Sequence, residues 1–246
     1  MNHQATLEKI TQMRLWGIKD AYQAVLEQNT SMGNDAFLAH LIEAEWLDRH
    51  NRKIERLIRQ ARFRYTAHPS ELEYNAQRGL DKNLILRLSD CSFIKKKENI
   101  LITGATGVGK SFVASALGHQ ACMMGYKTMY FNTQKLFSIL KAALADGSYF
   151  KWINKIERQQ LLILDDFGLQ LLDNHNRQAL MEIIEDRHNK HSTIVLSQLP
   201  TNKWHRVIGE SAIADAILDR LVHSAHRIEL KGESMRKRKL KKETTD

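Results

Sequence analysis

The stretch ILITGATGVGKS, residues 100–111, decides the fold expected for this chain. An apolar run of strand character leads directly into a loop that matches the pattern G-x-x-x-x-G-K-[ST]. Glycines let such a loop curve so that successive N–H groups point at phosphate oxygens, and the positive end of the following helix adds to the attraction. The stretch therefore predicts a strand, a phosphate loop and a helix, in that order.

The residues of this phosphate loop have distinct expected roles. Lys110 is predicted to reach the β and γ phosphates of a nucleotide, and the hydroxyl of Ser111 to coordinate Mg²⁺. The expected nucleotide-binding residues are Gly104, Ala105, Thr106, Gly107, Val108, Gly109, Lys110, Ser111 and Phe112.

A second motif supplies carboxylates. The run LLILDDFG, residues 161–168, is a fully apolar strand that ends in two acids, and a carboxylate at the end of a buried strand needs a partner. Asp165 is predicted to hold Mg²⁺, and Asp166 to orient or deprotonate the water that attacks the γ-phosphate. The two motifs together predict a nucleoside triphosphate bound with Mg²⁺.

A third polar strand end follows in TIVLSQLP, residues 193–200. Either Ser197 or Gln198 can contact the γ-phosphate or the attacking water from there, although an ordinary polar strand end is the alternative. The sequence contains no N-K-x-D stretch, which disfavours guanine-specific binding. ATP is therefore the expected nucleotide.

Short apolar strands alternate with helical stretches from about residue 75 to residue 232. The strands are expected at ILIT, KTMYF, LLILD, TIVLS and HRIEL, and the helices from about Lys110, Thr133, Asn174 and Ser211. This alternation is typical of an α/β fold in which helices cover both faces of a parallel five-stranded sheet.

Residues 1–70 instead predict a small all-α domain, because their apolar residues follow a helical period. We expect a first helix that ends near NTSMGND, residues 29–35, and a second, long helix that Asn34 or Asp35 caps. The apolar stripe expected on the second helix consists of Leu38, Leu41, Ile42, Leu47, Ile54, Ile58 and Ala61. Pro69 marks the exit from this domain.

Basic residues recur three and four positions apart on the same long helix, where they form a stripe suited to duplex phosphates. The stripe consists of Arg49, Arg52, Lys53, Arg56 and Arg59. No aromatic residues interleave with it, so stacking of single-stranded bases is not favoured. A solvated helix face is the alternative. The tail at 233–246, with its run RKRKLKK, is expected to be a disordered basic end.

The composition fits a polyanionic partner, since the net charge is +9 and the isoelectric point is about 9.5. A cytoplasmic protein is expected, because the N-terminal residues have no secretory pattern and no apolar run approaches membrane-spanning length. Six residues are expected to be structural because their spacing fits neither disulfides nor metal sites. They are Cys91, Cys122, His188, His191, His223 and His226.

The order of these motifs, followed by AIADAILDRLVHSAHRIELKGESMR at 212–236, resembles the AAA+ ATPases of the initiator and helicase-loader branch. The likeness is greatest to the IstB type, the helper ATPases of certain insertion-sequence transposons, and it covers nearly the whole chain. It is specific because LDDFG, SQLP and ILDRLVHSAHRIEL accompany the phosphate loop. The resemblance implies a sheet with the strand order 5-1-4-3-2.

The resemblance also implies residue roles. Arg220 in ILDRL matches the arginine finger that enters the ATP site of a neighbouring subunit, and Arg236 in ESMR matches the sensor-two arginine. Only a short tail follows here, whereas related proteins carry that second arginine on a helical lid. Asp166 stands where glutamate is commoner, and its shorter side chain suggests slow turnover.

Three functions remain open at this point. The first is a transposition helper that forms homo-oligomers with ATP sites at subunit interfaces, binds double-stranded DNA and serves a cognate IstA-type transposase. The second is a replicative helicase loader of the DnaC type, and the third is an ATP-dependent scaffold without catalysis. The basic stripe and SQLP favour the first function, and the complete set of catalytic motifs disfavours the third.

Overall fold

Five parallel strands form one sheet in the order β2-β3-β4-β1-β5, in a computed structural model that describes residues 2–28, 32–74 and 78–235. This order is the one that the resemblance implies, read from the other edge. The strands are β1 (Asn99–Gly104), β2 (Thr128–Asn132), β3 (Leu161–Phe167), β4 (Ser192–Ser197) and β5 (Ala225–Leu230). All five lie where the sequence predicts strands.

The chain divides between Arg56 and Leu57 into two compact units, here called the first and the second unit. The helices are α1 (His3–Gln12), α2 (Trp16–Gln28), α3 (Asn34–Ala61), α4 (Lys82–Ser89), α5 (Ser92–Lys96), α6 (Lys110–Met123), α7 (Thr133–Ala145), α8 (Tyr149–Glu157), α9 (Asn174–Arg187), α10 (Trp204–Ile208) and α11 (Ser211–Val222). Within the described residues, no helix has both the length and the apolar character needed to cross a membrane.

Helices cover both faces of the sheet, as the continuous apolar strands predict. Alternate residues of β1 face opposite cores: Ile100 and Ile102 pack with α6, and Leu101 packs with α7, α9 and α11. Strands β3 and β4 alternate in the same way. The expected α/β fold class is therefore confirmed.

The polar ends of the strands meet at one edge of this sheet. The phosphate loop follows β1, the two acids end β3, and β4 lies between these strands. Thr103, the residue before the loop, pairs in register with Ser197 at the end of β4. Ligands of open parallel sheets bind at this carboxyl edge.

The first unit contains two short helices where the sequence predicts one. Arg14 separates α1 from α2 with a left-handed φ of 58°, and its N–H donates to Thr11 O at 3.0 Å. Helix α2 then crosses α3 closely at Gly17, where a Cβ would lie 2.3 Å from Ala44 O. The periodicity cannot reveal this break, because both helices continue the same apolar period.

The expected apolar stripe on α3 is partly wrong. Leu38 and Ile42 are 60% and 58% exposed, whereas Glu45 is only 7% exposed. Glu45 is accommodated because it accepts hydrogen bonds from Ile18 N at 3.3 Å and from Arg49 Nε at 2.6 Å. Burial alone would raise the pKa of Glu45, but these donors hold it below its usual value.

The second unit begins earlier than the domain boundary predicted near residue 75. Leu57 and Ala61 at the end of α3 pack against Cys122 of α6, and Ala67 and Leu72 join the main core. These residues therefore belong with the sheet rather than with the first helices. Residue 1 and residues 29–31, 75–77 and 236–246 lie outside the described residues, and the last of these ranges includes most of the basic tail.

Candidate nucleotide site

The phosphate loop has the backbone conformation that its glycines permit. Gly107 and Gly109 have φ values of 84° and 101°, which other residues rarely adopt. A Cβ at Gly107 would also lie 2.3 Å from Ser234 Oγ, so a larger residue would force Ser234 to move. Helix α6 begins directly after Gly109, and no side chain caps it. Its first N–H groups are therefore suited to phosphate oxygens.

Lys110 lies inside the curve of the loop. Its side-chain ammonium donates to Gly104 O at 2.7 Å and to Ala105 O at 2.8 Å, and the residue is only 7% exposed. Burial lowers the pKa of Lys110, while the charges of Asp165 and Asp166 oppose this shift. The loop thus holds a positive charge in a place where a phosphate can reach it.

Asp165 is fully buried at the end of β3 and is held by several donors. Its Oδ1 accepts from Asp166 N at 2.8 Å, and the hydroxyl of Tyr130 donates to Oδ2. Tyr130 also interacts with the side chain of Ser111. Burial raises the pKa of the Tyr130 hydroxyl, and the neighbouring Asp165 raises it further.

The side chains of Ser111 and Asp165 therefore both lie near the Tyr130 hydroxyl. Hard oxygen donors at the mouth of a phosphate loop are the ligands that Mg²⁺ prefers. The donor set fits the ion that the sequence predicts there.

Asp166 points its carboxylate beside Asp165 from a left-handed backbone, with φ 58°. Its Oδ2 accepts from Asn132 Nδ2 at 2.9 Å, and Asn132 also caps α7 by accepting from Lys135 N at 3.2 Å. Asn132 pairs in register with Asp165, so the end of β2 aims the second acid.

Arg64 is a further partner of both acids. One of its guanidinium nitrogens, Nη1, donates to Asp165 Oδ2 and to Asp166 Oδ2, at 3.2 Å in each case. Burial alone would lower the pKa of Arg64, but Asp165 raises it above its usual value. The pair of acids is therefore partly neutralised by the protein itself.

Ser197 and Gln198, the two predicted alternatives for a contact with the γ-phosphate or the attacking water, differ in their surroundings at the end of β4. Ser197 is fully buried, and its hydroxyl donates to Phe167 O at 2.7 Å while it accepts from Leu199 N at 3.1 Å. Its hydrogen-bonding capacity is thus used within the turn. Gln198 is half-buried, so its side chain is more accessible to a ligand than that of Ser197.

Arg220 lies at the opposite edge of the sheet from the phosphate loop. Asn99, the first residue of β1, donates through Nδ2 to Arg220 O at 3.1 Å. The guanidinium contacts Glu185 Oε2 at 2.6 Å and Ala216 O at 2.9 Å. It lines a cavity of about 290 Å³ that Lys97 and His223 also line.

Arg236, the predicted sensor-two arginine, lies outside the described residues. Met235, directly before it, donates its N–H to Gly107 O at 2.9 Å. The chain that leads to Arg236 thus contacts the phosphate loop.

Comparison with known proteins places this site in a family. The sequence model of the IstB-like ATP binding protein family matches residues 8–243. The chain belongs to this family. The insertion sequence ATP-binding protein y4pL of Sinorhizobium fredii is 42% identical over 96% of this chain and 98% of its own length. The ATP-binding protein of insertion sequence IS1162 from Pseudomonas fluorescens is 39% identical over 82% of this chain and 89% of its own length.

Solved structures show the same fold at low sequence identity. The DnaC helicase loader is 20% identical and aligns with a TM-score of 0.54 over 68% of this chain and 98% of its own. The AMPPCP-bound DnaA of Aquifex aeolicus is 18% identical and aligns with a TM-score of 0.60 over 74% of this chain and 56% of its own. This IstB-like chain therefore has an AAA+ fold, as the resemblance implies.

The first unit of this IstB-like protein brings most of the predicted basic stripe together. A cavity of about 250 Å³ is lined by Arg14, Arg49, Arg52, Lys53 and Arg56. Arg49 is paired with Glu45, and Arg52 is paired with Asp48. Arg59 falls in the second unit and does not line this cavity. Lys53, Arg56 and the unpredicted Arg14 are therefore the cations best suited to an external phosphate.

The sequence of this IstB-like chain did not predict four residues that the structure places among the functional candidates: Arg14, Arg64, Tyr130 and Asn132. Asn132 could have been suspected because it ends a strand that the topology places beside β3, and Tyr130 lies two residues before it on the same strand. Nothing in the spacing of the sequence indicates Arg14 or Arg64.

Proposed function

We propose that the chain is an ATP-hydrolysing helper of DNA transposition that assembles on duplex DNA and presents this target to a cognate transposase. The observation that supports this function most directly is the split of its catalytic groups. The loop, Lys110 and the two acids lie at the carboxyl edge of the sheet, whereas Arg220 lies at the amino edge.

Different side chains of the phosphate site have different proposed roles. Ser111 and Asp165 would hold Mg²⁺, which would supply positive charge beside the phosphate oxygens. Lys110 leaves its two carbonyl partners to bind the β and γ phosphates. Asp166, aimed by Asn132, accepts a proton from the attacking water or orients it.

Arg220 acts on the nucleotide of a neighbouring subunit. The five steps between the six residues of β1, at about 3.3 Å each, separate its position from the phosphate loop by roughly 17 Å. An arginine side chain does not span this length within one chain, so its planar charge serves a phosphate presented by a second copy. Glu185 holds the guanidinium in place until that phosphate arrives.

The basic cavity of the first unit binds the DNA backbone. Lys53, Arg56 and Arg14 are the contacts proposed for phosphates, with Arg49 and Arg52 as weaker ones because acids of α3 already pair with them. Contacts of this kind attract any sequence and weaken as salt rises. The transposase as partner is supported by the family and by its insertion sequence relatives.

The decisive experiment is an anisotropy titration of duplex and single-stranded oligonucleotides, with and without ATP and Mg²⁺. Tighter duplex binding in the presence of ATP is the expected result. Tighter binding of single strands, or duplex binding that ignores ATP, would instead favour a helicase loader. If the protein binds ATP but neither DNA nor the transposase, the result would instead support an ATP-dependent scaffold without catalysis.

A further inference from the structure

The contact between Arg64 and the two acids is the starting point. A single nitrogen, Nη1, lies 3.2 Å from an oxygen of Asp165 and 3.2 Å from an oxygen of Asp166. One positive centre therefore bridges two carboxylates on consecutive residues. A divalent cation held by Asp165 would compete for the Oδ2 oxygen that Arg64 contacts.

The carboxylate oxygens have other donors, but Arg64 is the accessible one. Asp165 accepts hydrogen bonds from the Tyr130 hydroxyl and from Asp166 N, and Asp166 accepts one from Asn132 Nδ2. Tyr130 is only 7% exposed, whereas the Arg64 side chain is 40% exposed. Of these partners, Arg64 can withdraw into solvent without opening the core.

The backbone on both sides of Arg64 is anchored in the second unit. Phe63 packs against α6 so closely that a Cβ at Gly118 would lie 2.5 Å from its ring, and it meets Tyr130 edge-on at 6.4 Å. Tyr65 contacts Phe112, with ring centroids 6.1 Å apart. The guanidinium can therefore move while the main chain stays in place.

We infer that Arg64 is a positioning residue that competes with Mg²⁺ for the Oδ2 oxygen of Asp165 and releases Asp166 when the ion displaces it. The two acids carry charges that must be balanced, and one arginine balances them in part. ATP adds several negative charges at the phosphate loop, which favours a divalent ion at the acids and gives the displaced guanidinium a phosphate to face. Arg64 thereby makes firm metal binding depend on the nucleotide. This inference rests on the proposed ATP and Mg²⁺ site.

Removal of the competitor is the test, with Arg64→Gln as the variant and Arg62→Gln as its matched control. Arg62 is exposed two residues earlier and, within the described residues, contacts neither acid, so its loss removes the same charge. Mn²⁺ is titrated by electron paramagnetic resonance without nucleotide. We expect Arg64→Gln to bind Mn²⁺ about five- to tenfold more tightly than the parent, and Arg62→Gln to differ by less than about twofold.

Two further measurements make the result specific. Arg64→Lys should keep Mn²⁺ affinity near that of the parent, because one cationic nitrogen makes both contacts. The Mg²⁺ concentration for half-maximal binding of a fluorescent ATP analogue should fall in Arg64→Gln by a factor similar to that for Mn²⁺. Thermal unfolding by circular dichroism checks that each variant is folded.

Equal or weaker Mn²⁺ affinity in folded Arg64→Gln would overturn the competition, as would an equal gain in Arg62→Gln. The Mn²⁺ titration needs no ATP, so it decides on Arg64 even if the parent protein fails to bind the analogue. That second failure would count against the proposed function instead.

Discussion

The ammonium group of Lys110 lies buried against two loop carbonyls, so its replacement tests the phosphate loop directly. Lys110→Ala should lower ATP affinity by at least about 100-fold, because the phosphates lose a charge-assisted partner in a partly dry site. Isothermal titration calorimetry measures the effect, with the exposed Lys141→Ala as the control. Unchanged affinity in Lys110→Ala would remove the loop from the proposed site.

Asp166 should separate binding from hydrolysis. Asp166→Asn keeps the shape of the side chain and can still pair with Asn132, so ATP affinity should stay within about twofold of the parent. Hydrolysis should fall by about 100-fold or more, because an amide cannot accept the proton of the attacking water. Phosphate release under single-turnover conditions measures this rate, and a variant as active as the parent would assign the proton acceptor elsewhere.

The side chains that the sequence indicates are those that belong to a continuous motif. Lys110, Ser111, Asp165 and Asp166 are candidates from the sequence because chemistry and spacing coincide within a few residues, and the structure brings them to one edge of the sheet. Arg64 meets the acids only through the path of the chain over α6, and no local pattern encodes that path.

A buried arginine links several secondary-structure elements. Arg187 of α9 is fully buried and has no carboxylate partner within the described residues. Its guanidinium donates to Ile156 O and Gln159 O at the end of α8 and to Thr193 Oγ1 in β4. Burial lowers the pKa of Arg187 to about 9. Arg187 of α9 therefore contacts the end of α8 through backbone carbonyls and β4 through a hydroxyl group.

Arg187→Met should destabilise the fold by about 3 kcal/mol, because it leaves these buried acceptors unpaired. Urea unfolding followed by circular dichroism measures the loss. The same change at exposed Arg206 should stay within about 0.5 kcal/mol of the parent. A loss of similar size in both variants would refute the bridging role.

The basic face of α3 should act through charge alone. Replacement of Arg52, Lys53 and Arg56 by glutamine should weaken duplex binding and reduce the slope of log affinity against log salt by about 2, since Arg52 is already paired with Asp48. Replacing Lys82, Lys95 and Lys96 of the second unit removes the same charge and should leave the slope nearly unchanged. An equal loss in both variants would point to net charge rather than to this face.

Helices and strands were predictable to the extent that burial follows sequence period. The five strands are apolar runs buried on both faces, and four long helices begin at the predicted residues. Short helices such as α5 and α10 were missed because five residues carry too little pattern. The predicted apolar stripe on α3 was partly wrong because hydrogen bonds allow Glu45 to be buried where an apolar residue was expected.

For the entire chain, the position of Arg220 predicts complementation between subunits. Arg220→Ala should bind ATP as the parent does but hydrolyse it poorly, and Lys110→Ala should fail to bind it. In an equal mixture, about a quarter of the interfaces combine an intact loop with an intact arginine, so turnover should recover to about that fraction. A mixture no more active than either variant, in oligomers shown to be mixed, would place the arginine in its own site.

The length of β1 also affects the geometry of the proposed oligomer, in which subunits would follow one another in a row. In the proposed oligomer, each subunit would present its arginine at one edge of the sheet and its nucleotide at the other, so subunits joined through these edges would all face the same way. The first and last members of the row then expose different surfaces, however many copies lie between them. A partner that recognises either surface would find it once per row, so the row would give a DNA target a left and a right side.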